Sequence, residues 1–262
     1  MSLTLTRLQE PAAVLLTSAR VQLATQWAHP MSIMLGIVQP AVMLLIAGSA
    51  ARSGGTDLGR FAVASGLSTL WGASIWTAGG ILRREIEYGT LPRLVCSPWS
   101  TRLLLTAKSL AASTFQALSI GLTTAVVLAG LGHPLTVRAP FAFALFALAA
   151  IGSAAALGLL LSSLFVLTRA AVRISEVLSY PVFLLGGMLI PLDYLPGWLH
   201  WPSTLVSLGW ARAGLERALA GGLDARALAM VLLLTLCYAA LGWAVFSRVL
   251  DRARRKGTLE LR

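Results

Sequence analysis

The stretch Phe141 to Thr168, FAFALFALAAIGSAAALGLLLSSLFVLT, runs for 28 residues without a charge. A helix rises 1.5 Å per residue, so about 20 apolar residues cross the hydrocarbon core of a bilayer. Four more uncharged stretches pass the same filter: Met31 to Ala50, Phe61 to Leu82, Ser109 to Leu131 and Ala227 to Ser247. A sixth, Ile174 to Leu192, carries Glu176 near one end and is interrupted by Pro181 and Pro191. Across all 262 residues, 57% are apolar, 12% are charged and the mean hydropathy is +0.79. A soluble protein carries about a quarter charged residues, so lipid must touch much of this surface. The predicted fold class is an all-α integral membrane protein of six transmembrane helices.

The formal charge of +11 would point to nucleic acid in a soluble chain. Here it reads as orientation. With six spans and both termini on the inner side, 15 of the 21 Lys and Arg fall on inner segments and 6 on outer ones. That bias is the positive-inside pattern and predicts cytoplasmic N- and C-termini.

Two further segments frame the spans. Pro11 to Ala28 sets Ala12, Leu15, Leu16, Ala19, Leu23 and Trp27 at helical spacing, with Arg20, Gln22, Thr25 and Gln26 largely elsewhere. It is expected to be an amphipathic helix on the inner membrane surface, with Pro11 in its first turn. Near the other end, Tyr194 to Trp210 is uncharged but holds Pro196, Gly197, Pro202 and three tryptophans. Backbone that broken is not satisfied in hydrocarbon, and Trp favours the headgroup level. The segment is an interfacial loop or a pair of short helices dipping into the outer leaflet. The chain then divides into a cytoplasmic N-terminus with its interfacial helix (1–30), a six-span domain (31–250) and a basic tail (251–262). No cleavable leader is expected, because Arg7, Gln9, Glu10 and Pro11 interrupt the first residues.

Most chemistries lack their residues. A P-loop needs Gly-Lys-Ser/Thr, yet the lysines are Lys108 and Lys256 and neither follows glycine. An ion-coupled carrier leaves charges in mid-span. The strongest candidate is Glu176, with Arg173 one turn earlier on the same face. His29, His133 and His200 show no ligand spacing, so no metal site is expected. The nearest approach to a lipid-modifying centre is His200 with Asp193. Cys96 and Cys237 imply no disulfide. Small-residue pairs such as Ala154 with Gly158 read as helix packing.

The loop after the second span differs from ordinary loops. Arg83-Arg84-Glu85-Ile86-Glu87-Tyr88-Gly89-Thr90-Leu91-Pro92-Arg93-Leu94 mixes charges of both signs, then a glycine, then leucines at helical spacing. A solvated loop accounts for the charges but not for the apolar and aromatic residues among them.

The run Glu85-x-Glu87-x-Gly89-Thr90-Leu91, with Pro98 beyond it, resembles the cytoplasmic loop of ABC-2 type transporter permeases. Gly186-Gly187-Met188-Leu189-Ile190-Pro191-Leu192 and Tyr194-Leu195-Pro196-Gly197-Trp198-Leu199 are similar to that family's segment between the fifth and sixth spans. The resemblance covers nearly the whole chain and implies a membrane subunit of an ATP-binding cassette exporter in a bacterial plasma membrane. It implies a coupling helix within 83–100 that docks on a separate P-loop ATPase, and re-entrant helices within 193–212. Arg84, Glu85, Glu87, Tyr88, Gly89 and Thr90 would form the docking surface, with Leu91 and Leu94 as apolar contacts. The acidic residue that usually follows Gly-Thr-Leu is here Pro92. ATP and Mg would bind the ATPase, present in two copies, and this chain would hold no cofactor. A second six-span subunit, identical or related, would complete the complex. Ser68, Thr69, Trp71, Ser74 and Trp76 on the second span, with Tyr180 and Phe183 on the fifth, are the candidate lining of a substrate path. Uncharged spans favour a hydrophobic or amphipathic substrate, a drug, antibiotic or lipid-like molecule, over a polyanion. A lipid-linked polysaccharide is the alternative cargo, and an ion-coupled carrier or a lipid enzyme are the rivals from other classes.

Overall fold

The computed structural model describes residues 2–51, 57–90, 94, 97, 99–167, 171–188 and 196–256. Every regular element among them is helical. In chain order these are α1 (Ser2–Ala28), α2 (Pro30–Ile33), α3 (Gln39–Ala51), α4 (Leu58–Ala73), α5 (Ile81–Glu87), α6 (Thr101–Gly130), α7 (Pro140–Leu167), α8 (Ala171–Leu185), α9 (Gly197–Ser203), α10 (Ser207–Ala220) and α11 (Ala225–Lys256). A π turn, Met34–Val38, joins α2 to α3, and another, Ser74–Ala78, follows α4.

Among the described residues, four helices are long and apolar enough to cross a bilayer: Pro30–Ser49, Thr101–Gly130, Pro140–Phe165 and Ala225–Arg248. The other two apolar segments form shorter regular helices, and each is broken at a glycine pair. After α4 the chain passes through the π turn and then a turn at Gly79 and Gly80. α8 ends at Leu185, and Gly187 takes a φ of +68°, a conformation that side chains disfavour.

The surface is inverted relative to a soluble bundle. Leu103, Leu110, Leu118, Leu122 and Val126 form an exposed apolar stripe down α6, while Leu232, Leu233, Leu236 and Leu241 do so on α11. Leu236 is 69% exposed. Stripes of this size mark a surface covered by lipid or by another apolar helix. The interior holds small polar groups: Ser65, Thr69, Ser74, Thr77, Ser109, Ser153, Ser162 and Ser163 are buried. Their hydroxyls mostly donate within their own helix, as Thr69 does to the Ser65 carbonyl at 2.9 Å. Others bridge helices, as Ser109 does to the Ala155 carbonyl at 2.7 Å.

Small residues set the closest helix approaches. A Cβ added at Gly158 on α7 would lie 2.4 Å from that of Ala78, and one at Gly214 on α10 would lie 2.1 Å from the Phe146 ring. α7 is therefore central, with α6, α10, α11 and the π turn Ser74–Ala78 packed around it.

α1 begins at Ser2, so Pro11 lies inside it rather than in its first turn. The helix tolerates this by leaving one carbonyl, that of Arg7, without its backbone donor. Its polar side faces inward: Gln22 and Gln26 are buried where α1 packs on α6. Leu16 and Trp27 are more than half exposed, and the Trp27 ring meets Phe115 of α6 edge-on, with centroids 5.3 Å apart.

α10 is packed into the bundle more deeply than an interfacial loop would be. Leu208, Ala211, Leu215 and Ala218 are all buried, and the Ser207 hydroxyl lies 2.7 Å from that of Ser153, well along α7. Only α9, with Trp198 and Trp201 exposed, has the loose surface character expected of the Trp-rich stretch. Residues 189–195, which include Asp193, lie outside the described set.

Candidate functional site: the charged loop after α4

α5 is anchored before it is charged. Ile81 and Leu82 are buried against Ala78, Leu105, Ala112, Leu159 and Phe246, and Ile86 and Leu94 pack on the same cluster. The Leu82 N–H donates to the Ser162 hydroxyl at 3.2 Å. The two residues that follow therefore leave the bundle in fixed directions.

Arg84 turns inward. Its guanidinium donates to the Trp76 carbonyl at 3.3 Å and to the Thr77 carbonyl. Both carbonyls belong to the π turn, whose widened pitch leaves backbone acceptors without regular helical donors. Burial lowers the guanidinium below its ordinary range, with Tyr88, Glu87 and Glu85 acting the other way. An arginine stays charged in either case.

Glu85 also turns inward. One carboxylate oxygen pairs with the Lys108 ammonium of α6, and the two side chains are only 14% and 10% exposed. The other accepts from the Thr90 hydroxyl at 2.5 Å, while the Thr90 N–H donates to the Glu85 carbonyl at 2.9 Å. Gly89, at a φ of +66°, closes the turn between them. The Thr101 hydroxyl then holds the Leu94 carbonyl at 3.4 Å.

The outward face is a different set. Arg83 and Glu87 pair at 2.8 Å across one turn with both side chains more than half exposed, and Tyr88 is 66% exposed. Such a surface pair contributes little to stability. The structure thus divides the sequence-derived docking set. Arg84, Glu85 and Thr90 brace the loop; Glu87, Tyr88 and Gly89 face outward; Leu94 is partly buried. Leu91 lies outside the described residues. A cavity of about 450 Å³ separates this loop from α1, lined by Ser18, Gln22 and Thr25 on one side and Arg84, Glu85 and Lys108 on the other.

Lys108 was the residue missing from the sequence reading, where it counted only as an inner basic charge. Its signal was available: it stands one turn from Leu104, Leu105, Ala111 and Ala112, a face that is buried throughout. A cation on such a face needs an acid, and Glu85 provides it.

The path candidates separate similarly. Trp71 is buried and its indole N–H donates to the Ser179 hydroxyl of α8 at 3.0 Å, which ties α4 to α8. Trp76 and Phe183 pack against the same core cluster. The hydroxyls of Ser68, Thr69 and Ser74 are engaged with carbonyls of their own helix at 2.8 to 3.0 Å. Tyr180 points away and is 72% exposed. Arg173 is exposed on α8, and the side chain of Glu176 lies outside the described set. Among the described residues no three His, Cys, Asp or Glu converge as metal ligands.

No curated protein matches the chain. The family model described as ABC-2 type transporter matches residues 14–219, from within α1 to the penultimate residue of α10. With an all-helical bundle, exposed apolar stripes and most of its length matched, the chain belongs to the ABC-2 type transporter family, membrane permease components that work with an ATP-binding subunit.

Proposed function

We propose that the chain is one half of an ATP-driven exporter, with the α5 loop as the surface that an outside ATPase grips. The observation that carries this is the division of the loop. Arg84 and Glu85 fix it from inside, to the π turn and to α6, while Arg83, Glu87 and Tyr88 are presented outward. A chain without a P-loop uses ATP only if closure of its partner is passed on by a stiff contact. This loop is stiff because each inward charge is satisfied by a different helix.

In this reading the bundle crosses the membrane six times, with Leu58–Ala78 and Ala171–Leu185 as the shorter crossings and both termini cytoplasmic. α9 and α10 form the re-entrant pair on the outer side. The ATPase dimer closes about a two-fold axis, so two such halves assemble, as copies or as relatives. ATP and Mg bind the ATPase pair, in a bacterial plasma membrane. The cargo passes along the α4–α8 side beside Trp71, Trp76 and Phe183, and uncharged walls there favour a hydrophobic or amphipathic molecule.

The test is purification of the tagged chain from its native membrane in mild detergent. A P-loop ATPase is expected to co-purify in equal amount, and to be lost when Glu87 and Tyr88 are both changed to Ala. A chain that comes alone, with transport that follows a proton or sodium gradient, would replace this reading with an ion-coupled carrier.

A further inference from the structure

The end of the bundle away from α5 holds a cavity of about 490 Å³ between the start of α4, the α6–α7 connection and the end of α10. Leu58, Leu128 and Leu219 are among its walls. Four residues further along each helix, Ala62, Thr124 and Leu215 line a second cavity of about 280 Å³, and Leu135 lines both. Four residues make about one helical turn. The two cavities therefore lie at successive levels of the bundle, with Leu135 on the wall of both.

The levels differ in chemistry. Arg60, Arg138, Asp57, Glu216 and His133 surround the upper one. Asp57 is engaged twice, accepting from the Gly59 and Arg60 N–H groups at the start of α4 and lying 3.4 Å from the Arg60 Nε. Glu216 lies 3.3 Å from Arg212, one turn earlier on α10. Arg138 has no carboxylate within 4.0 Å among the described residues. Two guanidiniums and two carboxylates thus line the cavity; both carboxylates already have a cation, Asp57 from Arg60 and Glu216 from Arg212 outside the lining, which leaves Arg138 for an anion.

The lower level is apolar, walled by α4 from Ala62 to Leu70 and by α6 from Ala117 to Ala125. Eight residues of helix give it a length of about 12 Å. Leu118 on its rim is 67% exposed, so it opens sideways toward the lipid. At the boundary sits Thr124, only 8% exposed, whose hydroxyl has no hydrogen-bond partner. A buried hydroxyl left unpaired is costly, and an acceptor oxygen on a ligand relieves that cost.

Positive charge, then a lone hydroxyl, then an apolar channel is the profile of a glycerophospholipid read from headgroup to ester to acyl chain. We propose that the two cavities form one slot holding one anionic membrane phospholipid, with its phosphate against Arg138 and Arg60, an ester oxygen at Thr124 and an acyl chain between α4 and α6. A zwitterionic headgroup brings a cation beside the arginines and gains less. The site makes no use of the ATPase, so binding is measured without ATP and stands or falls separately from the transport reading.

The full chain in an uncharged detergent is titrated with phosphatidylglycerol or phosphatidylcholine, and adducts are followed by native mass spectrometry. One phosphatidylglycerol is expected to bind about tenfold more tightly than phosphatidylcholine, with Arg138→Gln removing about that factor, as for one charge-assisted contact. Gly121→Leu, placed where a Cβ meets nothing within 4 Å, fills the channel and abolishes the adduct. Thr124→Val weakens it, and Arg226→Gln, an exposed charge outside the slot, leaves it unchanged. Equal binding of the two lipids would overturn the proposal. So would an adduct that survives Gly121→Leu in a chain of unchanged melting temperature, or one displaced by millimolar inorganic phosphate, which marks a free-anion site.

Discussion

The two ends of the bundle hold charge differently. At the α5 end, Glu85 is enclosed with Lys108 and Thr90, and Arg84 with two backbone carbonyls. At the far end, Asp57 and Arg60 pair with more than half of each side chain exposed, Arg212 and Glu216 pair on α10 at 18% and 19% exposure, and Arg138 has no carboxylate within 4.0 Å among the described residues. One end is braced so that force on it moves helices. The other is open, so that something can enter. Burial depth decides between these roles, since a buried pair fails when one partner is removed and an exposed pair scarcely notices.

The largest expected effect follows from the braced end. Lys108→Ala leaves the Glu85 carboxylate buried without a cation and should cost about 3 kcal/mol or more. Thermal unfolding in detergent measures it, and Glu85→Gln combined with Lys108→Met should restore most of the loss. The equivalent change at the open end, Asp57→Ala with Arg60→Ala, should cost far less than Lys108→Ala, mainly through the helix cap at about 1 kcal/mol. If the two ends respond equally, the contrast between them is wrong.

Packing sharpens the comparison next. Gly158→Ala on α7 places a methyl 2.4 Å from the Ala78 Cβ, and overpacking there should cost about 1–3 kcal/mol. Gly121→Ala at the slot has open space around it and should stabilise α6 by up to about 1 kcal/mol. Paired melting curves report both signs.

Tyr88→Ala should leave stability within about 0.5 kcal/mol, because the side chain touches little, while lowering the ATPase activity of the complex severalfold. Loss of activity that tracked loss of folding would make Tyr88 a structural residue.

The smallest effect is a pH dependence at the joint between α1 and α2. Burial, and then the charge of Arg84, hold His29 below its ordinary value of 6.5. A base with a lowered folded pKa binds fewer protons than its unfolded form. Stability from this group is complete above about pH 6.5 and falls as the solution is acidified below it. His29→Gln should flatten that part of the stability–pH curve.

How much of this was legible beforehand depended on the range of the interaction. Apolar runs without charge are local facts, and Pro30–Ser49, Thr101–Gly130, Pro140–Phe165 and Ala225–Arg248 follow them closely. The loop was found from its mixture of residue types. Its inner and outer faces were also partly readable, because Glu85 and Glu87 stand two apart and so project from opposite sides of a helix. What the sequence could not reveal is which side meets Lys108, 23 residues away. The burial of α10 was readable too, because Leu208, Ala211, Leu215 and Ala218 form an apolar face at helical spacing beside Arg212, Glu216 and Arg217. The slot was invisible, since Arg60, Thr124, Arg138 and Leu215 come together only through packing of four separate segments.

The most direct test of the central claim, that the α5 end is the gripped end, is photo-crosslinking in the native membrane. A benzophenone side chain is placed at Tyr88 in one variant and at Thr136, exposed at the far end, in another. The Tyr88 probe is expected to crosslink to a P-loop ATPase and the Thr136 probe to lack that adduct. Adducts with the ATPase from Thr136 and none from Tyr88 would contradict it.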